Sequence, residues 1–308
     1  MSALRLVIAG SPQAAVPTLT TLAASDHAIE RVVTRPPTPQ GRKKVLTPTP
    51  IADEAARLGL PVLEARRLTD LEADLLPLEV DLGVIVAYGA LVRPPLLAWP
   101  RLGWINLHFS LLPRWRGAAP VQHAVMAGDA QTGASVFQLT EGLDEGDVFA
   151  TLTTPIGAQR TAGSLLDELS VSGATLVREV VDSLASGTAQ SHPQRGSATL
   201  APKLVRDDAR LRWNEPSEAV HARLRGVTPE PGAFTHWGEQ VIKVLEAAIA
   251  RDVAPLAAGE VRRDSGRVLV GTATHPLELL RVQPGGKQAM TAADWARGLP
   301  ADRVPVFA

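Results

Sequence analysis

Short apolar runs alternate with helical segments through the first third of the chain. Residues 4–9, 29–34, 82–87 and 104–108 have the length and aliphatic character of buried strands. A short helix is predicted between the second and third runs, over residues 51–58. Strands that alternate with helices are typical of a parallel sheet with helices on both faces. The sequence therefore predicts an open, doubly wound α/β domain.

The pattern changes in the second half of the chain. Apolar residues recur at helical spacing from Ser164 to Leu184, with Ser164 and Asp167 as the predicted capping box. A small and polar stretch follows, and beyond it short apolar runs are separated by Gly, Pro and Asp, which is typical of a small all-β barrel. One helix is predicted there, over residues 218–224. We expect a catalytic domain over 1–188, a linker over 189–207 and a second domain over 208–308.

Composition and charge exclude several classes of protein. The chain has a formal net charge of -1 and no cysteine, so it is not a generally polycationic nucleic-acid binder and has no thiolate chemistry. No signal peptide or membrane-length apolar run is evident. We expect a soluble, cytoplasmic protein and, by default, a monomer.

The usual cofactor motifs are missing. The first strand ends in Gly10-Ser11-Pro12, without the glycine pattern of a dinucleotide site, and no P-loop occurs anywhere in the chain. The seven histidines are scattered, so we expect no metal. The function has to be inferred from a site rather than from the fold.

One polar group of residues suggests such a site. Asn106 and His108 lie two apart on a predicted strand, so they share one side of it. An unusual loop over 110–120 follows, and Asp144 lies in the later turn Leu143–Asp147. His can move a proton near neutral pH, Asn can donate to a developing oxyanion, and Asp can orient the imidazole or hold a water. Taken singly, each residue is more often an ordinary core or turn residue.

The motifs together resemble the folate-dependent formyltransferase family. The resemblance extends over nearly the whole chain and is carried by Asn106-Leu107-His108, Ser110-Leu111-Leu112-Pro113, Arg116–Pro120 and Leu143–Asp147, and further by Ala9–Pro12, Val86–Gly89, Ala201–Leu204 and Pro284–Met290. It implies a Rossmann-like catalytic domain followed by an OB-like barrel that binds tRNA. It also implies that 10-formyltetrahydrofolate is the formyl donor and that the methionine amine of initiator methionyl-tRNA is the acceptor.

The resemblance also implies roles for individual residues. The catalytic Asn, His and Asp of the family fall on Asn106, His108 and Asp144. The residues expected to contact the folate are Ser110, Leu111, Leu112 and Pro113, with the pterin near Val86, Ala87, Tyr88 and Gly89.

A proline-rich segment over 35–50 carries four cations. On composition alone it is either a solvated surface loop or a contact for phosphates. The resemblance favours the second interpretation, because related enzymes use such a loop to probe the acceptor stem of tRNA. It implies that Arg42, Lys43 and Lys44 contact the tRNA.

Several alternatives stay open at this point. A formyltransferase acting on glycinamide ribonucleotide usually ends after one domain, and one acting on an amino-sugar nucleotide lacks the basic loop. A hydrolase of the formyl donor normally carries a regulatory domain. The chain could also be a non-catalytic module that binds tRNA or folate, although the intact Asn106, His108 and Asp144 argue against that.

Overall fold

A computed structural model describes residues 3–41, 43–298 and 306–308. In chain order the strands are β1 (Arg5–Gly10), β2 (Ala28–Thr34), β3 (Thr38–Gln40), β4 (Val45–Thr47), β5 (Val62–Glu64), β6 (Leu82–Val86), β7 (Trp104–His108), β8 (Arg116–Gly117), β9 (Gln131–Gln138), β10 (Val148–Pro155), β11 (Leu200–Ala201), β12 (Phe234–Trp237), β13 (Gln240–Ile249), β14 (Val261–Asp264), β15 (Arg267–Val270), β16 (Leu277–Pro284) and β17 (Met290–Thr291). The α-helices are α1 (Val16–Ala23), α2 (Pro50–Arg57), α3 (Glu72–Leu75), α4 (Pro120–Met126), α5 (Ala162–Ser186), α6 (Ser217–Gly226) and α7 (Ala292–Arg297).

The chain divides into two compact units. The first comprises Met1–Pro120, Thr132–Thr154 and Leu166–Pro202, and the second comprises Val121–Gln131, Pro155–Leu165 and Lys203–Ala308. Within the described ranges, no helix combines the length and the hydrophobicity that crossing a bilayer requires.

The first unit is built on a seven-stranded sheet in the order β10-β9-β7-β6-β1-β2-β5. Strands β7, β6, β1, β2 and β5 are parallel to one another, and β9 pairs with β7 in the antiparallel sense. The predicted strands 4–9, 29–34, 82–87 and 104–108 correspond to β1, β2, β6 and β7. The doubly wound α/β prediction is confirmed. Because the strand order reverses between β1 and β6, the carboxyl ends of these strands border a crevice, where ligands bind in such sheets.

The centre of this sheet is completely buried. All five residues of β6 are buried, as expected for a strand covered on both faces. Gly83 of β6 lies under the indole of Trp104, and a Cβ at this position would come within 2.1 Å of the ring. The Trp104 indole N–H donates to the carbonyl of Leu96 at 2.8 Å. This packing fixes β7 against β6, and β7 carries the candidate site residues.

Helix α5 begins two residues earlier than predicted, and the predicted capping box is wrong. The backbone N–H of Ser164 donates to the Thr161 hydroxyl at 3.2 Å, and the N–H of Thr161 donates to the Ser164 hydroxyl at 3.2 Å. Thr161 and Ser164 therefore cap each other, and Asp167 lies inside the helix. The prediction placed the capping box about one turn too far along the chain, because Thr161/Ser164 and Ser164/Asp167 are both polar pairs with a spacing of three residues.

The second unit contains an antiparallel sheet in the order β12-β13-β16-β15-β14, with β17 added to β16. Helix α6 covers the predicted helix over 218–224 and buries Val220 and Leu224 in the core of this unit, together with Trp213. The expected second domain, built of strands with a helix, is confirmed. The boundaries 1–188, 189–207 and 208–308 stay predictions.

Candidate active site

The candidate site residues lie at the carboxyl ends of the central parallel strands. Asn106 pairs with Ile85 across β6 and β7, and His108 is the last residue of β7. On the other side of β7, His108 pairs with Ser135 of β9. Asn106 and His108 alternate with Leu107 along the strand, so both project toward the same face. This is the edge at which the crevice of the sheet forms.

His108 is held from one ring nitrogen. Its side chain is buried, and Nε2 lies 2.8 Å from the carbonyl oxygen of Trp115. A carbonyl only accepts, so Nε2 carries the hydrogen and donates it. The ring also packs edge-on against Phe137, with 6.3 Å between ring centroids. Nδ1 is therefore the ring nitrogen left for chemistry.

Asp144 faces that free nitrogen. Its Oδ2 lies 3.7 Å from Nδ1 of His108 and accepts a hydrogen bond of 2.7 Å from the backbone N–H of Gly117. Asp144 adopts a left-handed backbone conformation, with φ +48°. Asp is one of the few residues that tolerate this conformation, and such positions gather at functional sites. The structure thus brings together two of the three predicted catalytic residues, His108 and Asp144, although they are 36 positions apart in the sequence.

Burial and the polar groups around the ring shift the pKa of His108 in opposite directions. Burial disfavours the imidazolium and lowers the pKa of His108 below its usual value, while the Asp144 carboxylate and the Trp115 carbonyl partly offset this effect. In the resting protein at neutral pH the imidazole is therefore neutral, and Nδ1 can accept a proton.

The third predicted catalytic residue has a free amide. Asn106 is partly exposed, and no described residue hydrogen-bonds to its side chain. Its NH₂ group is therefore available as an uncharged donor in the crevice, near the imidazole of the same strand. A donor of this kind stabilises negative charge that develops on an oxygen.

The predicted folate loop has both structural and exposed positions. Ser110 is fully buried, and its hydroxyl donates to the carbonyl of Arg114 at 2.6 Å. Its carbonyl accepts from the Ser135 hydroxyl at 2.7 Å. Pro113 is buried, whereas Leu111 and Leu112 are partly exposed. The side chain of Ser110 therefore fixes the loop, and the leucines are the side chains that this loop can offer to a ligand.

The segment after β6 likewise alternates between buried and exposed residues. Val86 and Tyr88 are buried, and the Tyr88 hydroxyl donates to the carbonyl of Ala65 at 3.0 Å. Ala87 and Gly89 are exposed and left-handed, with φ of +48° and +74°. What this segment presents at the crevice is consequently its backbone at Ala87 and Gly89, not the ring of Tyr88.

Arg35 restrains the same segment, and sequence reasoning missed this role. Its guanidinium donates to the carbonyl of Tyr88 at 3.2 Å from Nε and to that of Gly89 at 2.5 Å from Nη2. Arg35 is the first residue after β2, and the sequence shows it only as one cation of a basic loop. No sequence signal connects it to residues 53 and 54 positions away.

The basic segment forms a β-hairpin. Strands β3 and β4 pair antiparallel from Thr38↔Thr47 to Gln40↔Val45, so Lys43 and Lys44 lie in the connecting turn. Arg42 lies outside the described residues. Lys43 and Lys44 are exposed, and neither forms an ion pair with a described residue. Both ammonium groups are available to an anionic partner.

Comparison with known proteins identifies the family. The formyl transferase profile matches residues 4–181, and the profile of the formyl transferase C-terminal domain matches residues 203–300. A protein of Clavibacter sepedonicus named methionyl-tRNA formyltransferase is 56% identical over 297 residues, which cover 96% of this chain and 97% of that protein. A protein of the same name from Arthrobacter sp. (strain FB24) is 50% identical over 305 residues, which cover 99% of this chain and 100% of that protein.

A solved structure shows the same fold at low sequence identity. The N-formyltransferase from Helicobacter canadensis, crystallised with folinic acid and dTDP-3-aminofucose, aligns with a TM-score of 0.68 at 14% identity. The alignment covers 90% of this chain and 98% of that one. With two matched profiles and relatives that are at least half identical over nearly its full length, this chain belongs to the formyl transferase family.

Proposed function

We propose that this chain transfers the formyl group of 10-formyltetrahydrofolate to the free amine of methionine on initiator methionyl-tRNA. The observation that carries the proposal is the His108 site, in which one ring nitrogen is anchored and the other faces a carboxylate. It occurs in a chain whose relatives named methionyl-tRNA formyltransferase align with it over nearly its full length. The donor and the acceptor are both part of the proposal.

The reaction requires charge stabilisation at one oxygen. The methionine nitrogen attacks the formyl carbon, a new C–N bond forms, and the bond from that carbon to the folate nitrogen breaks. Negative charge develops on the formyl oxygen during the attack. The free amide of Asn106 is suited to donate to that oxygen, and loss of one such donor typically costs about 10²–10³ in rate.

The reaction also requires a proton to move. The attacking amine loses a proton and the departing folate nitrogen gains one. The unprotonated Nδ1 of His108 accepts the first proton and returns it to the second nitrogen. While the ring carries the proton, the Asp144 carboxylate at 3.7 Å stabilises the imidazolium. The role of Asp144 is therefore to stabilise the charged form of His108. General acid–base assistance of this kind contributes about 10²–10⁴ in rate.

The folate site is proposed at the segment after β6 and the loop after β7. The exposed backbone of Ala87 and Gly89 offers N–H and C=O groups to the polar edge of a pterin, and Leu111 and Leu112 offer apolar contacts. The restraint by Arg35 keeps the first segment in its left-handed conformation. A preformed backbone edge of this kind binds a planar heterocycle at low entropic cost.

The tRNA site is proposed at the hairpin of β3 and β4. Its exposed Lys43 and Lys44 are free to contact phosphates, and Arg42 is proposed to act with them. Phosphate contacts position a nucleic acid without reading its sequence.

The test is a transfer assay with three acceptors offered in parallel. Initiator methionyl-tRNA, glycinamide ribonucleotide and a dTDP-linked amino sugar are each incubated with 10-formyltetrahydrofolate, and the formylated product is identified by mass spectrometry. The proposal predicts formylation of the tRNA alone. Transfer to a small acceptor with no tRNA product would refute it.

A further inference from the structure

A segment of the predicted linker is hydrogen-bonded to the catalytic loops. We call residues 192–201 the strap. His192 forms a two-way backbone bridge with Val148 of β10, at 2.8 and 2.9 Å, where the strap begins. At its other end β11 pairs in parallel with β8. The strap therefore lies within the first unit, fixed at both ends, although its small and polar composition predicts a flexible connection.

The strap supports the residue that anchors His108. The Thr199 hydroxyl accepts from the backbone N–H of Trp115 at 2.9 Å, and the Thr199 carbonyl accepts from that of Arg116 at 2.8 Å. Trp115 has a left-handed backbone, with φ +64°. Its carbonyl is the group that receives the His108 Nε2–H. The strap thus holds the Trp115 peptide in a conformation that a tryptophan rarely adopts.

Gln194 connects the same strap to the loop of Asp144. Its amide oxygen accepts from Nε and Nη2 of Arg116, at 3.2 and 2.7 Å. Its amide nitrogen donates to the carbonyls of Asp144 and Gly146, at 2.8 and 2.9 Å. All four hydrogen-bonding positions of the amide are used. The side chain therefore ties the loop that carries the catalytic carboxylate to the loop that carries the histidine anchor.

Only an amide satisfies this arrangement. A carboxylate of the same length keeps the oxygen that accepts both bonds from Arg116 but places its second oxygen, also an acceptor, against the two carbonyls. A methionine of similar length makes none of the four bonds. Asp144 itself is held in a left-handed conformation, and among the described residues only Gly117 donates a backbone N–H to its carboxylate. Loss of the Gln194 donors would free the Asp144 peptide, and the separation from His108 would no longer be fixed.

We infer that Gln194 is a positioning residue for the transfer reaction, which fixes the 3.7 Å separation of Asp144 Oδ2 and His108 Nδ1 by bridging the two catalytic loops. The inference rests on the proposed function for its kinetic consequence. Its structural consequence, the state of His108, is measurable without any substrate. Asp144 is the titratable group that faces the His108 ring among the described residues; β9 contributes Phe137, and the 110–120 loop contributes the Trp115 carbonyl.

The experiment compares Gln194→Glu and Gln194→Met with matched changes at Gln190. Gln190 lies in the same polar segment, is exposed and has no side-chain hydrogen bond to a described residue. For each protein we would measure kcat and KM for both substrates. In parallel, the titration of His108 is followed by NMR, with its resonance assigned by its absence in His108→Asn. Thermal unfolding checks that each variant is folded.

We expect kcat to fall about tenfold or more in both Gln194 variants, with KM for tRNA changed less than threefold, because a misplacement of about 1 Å at a reacting centre can cost up to 10²-fold. In Gln194→Met, the pKa of His108 should fall further below that of the parent protein, since the Asp144 carboxylate moves away. Both Gln190 variants should match the parent protein.

Unchanged kcat together with an unchanged His108 titration in folded Gln194→Met would overturn the inference, and so would equal losses in the Gln190 variants. If the parent protein formylates no tRNA, the proposed function fails. The NMR titration of Gln194→Met then decides the positioning role alone. Gln194→Glu, which retains the contact to Arg116, supplies the same test if Gln194→Met does not fold.

Discussion

Replacing Asp144 by asparagine tests the proposed proton transfer at His108. The amide oxygen of asparagine can still accept from the Gly117 N–H, so the loop is retained while the negative charge 3.7 Å from Nδ1 is lost. At an effective dielectric constant of about 20, opposite charges about 4 Å apart attract by roughly 4 kcal/mol. This attraction exists only while His108 carries the proton in transit. Since about 1.4 kcal/mol is a factor of ten in rate, we expect kcat to fall by about 10²–10³-fold.

The assay is steady-state formyl transfer to methionyl-tRNA over a pH series, with KM measured for both substrates. KM should change little, because the imidazolium that Asp144 stabilises exists only during the reaction. Asp147→Asn is the matched control, because that carboxylate lies three residues further along the same loop and is exposed. A kcat within threefold of the parent protein, in a folded Asp144→Asn variant, would refute the proposed stabilisation of the imidazolium.

Three further predictions follow from other parts of the chain. Burial and the charge of Arg225 lower the pKa of His221 in the folded protein. The unfolded chain therefore binds a proton at His221 more readily than the folded protein does. The protein should lose stability as the pH falls below about 6.5, where His221 becomes protonated in the unfolded chain. The free energy of unfolding, measured by urea denaturation, should fall with pH in this range by at most about 1.4 kcal/mol per pH unit. His221→Gln should reduce this pH dependence. Lys43→Ala and Lys44→Ala should each lower the slope of log KM for tRNA against log salt by about 1; unchanged slopes would contradict phosphate contact. At Gly117, which has φ +120°, an added Cβ would lie 2.8 Å from the Ala201 carbonyl oxygen, whereas at Gly59 it would have no atom within 4 Å. Gly117→Ala should therefore destabilise the protein more than Gly59→Ala, which carries only the cost of a left-handed backbone, about 1–2 kcal/mol.

The sequence predicts the parallel sheet because its strands are buried on both faces. The run at 82–87 is continuously apolar for that reason, and β6 occupies 82–86. The placement of Asn106 and His108 on one side of β7 follows from the two-residue period of a strand. These inferences use periodicity, which a single sequence carries. The approach of Asp144 does not follow in this way, because β9 is antiparallel to β7 and pairs Gln138 with Ile105, so the loop that carries Asp144 begins beside the amino half of β7.

The contacts that hold the site together lack such signals. Gln194 and Thr199 lie in a stretch whose composition is that of a linker, and their bonds to Arg116 and Trp115 join positions 78 and 84 residues apart. The hairpin of β3 and β4 is equally hard to predict, since each strand is only three residues long and β3 contains a proline. Short elements formed by long-range hydrogen bonds depend on tertiary context rather than on local pattern.

The central claim is that this chain formylates methionyl-tRNA through the groups at the end of β7. The most direct measurement is transfer of a labelled formyl group from 10-formyltetrahydrofolate to initiator methionyl-tRNA by the parent protein and by Asn106→Ala, side by side. We predict N-formylmethionyl-tRNA as the product, with a rate reduced by about 10²–10³ in the variant because one oxyanion donor is lost. A parent protein that leaves the tRNA unformylated, or a variant that matches the parent rate, would contradict the account.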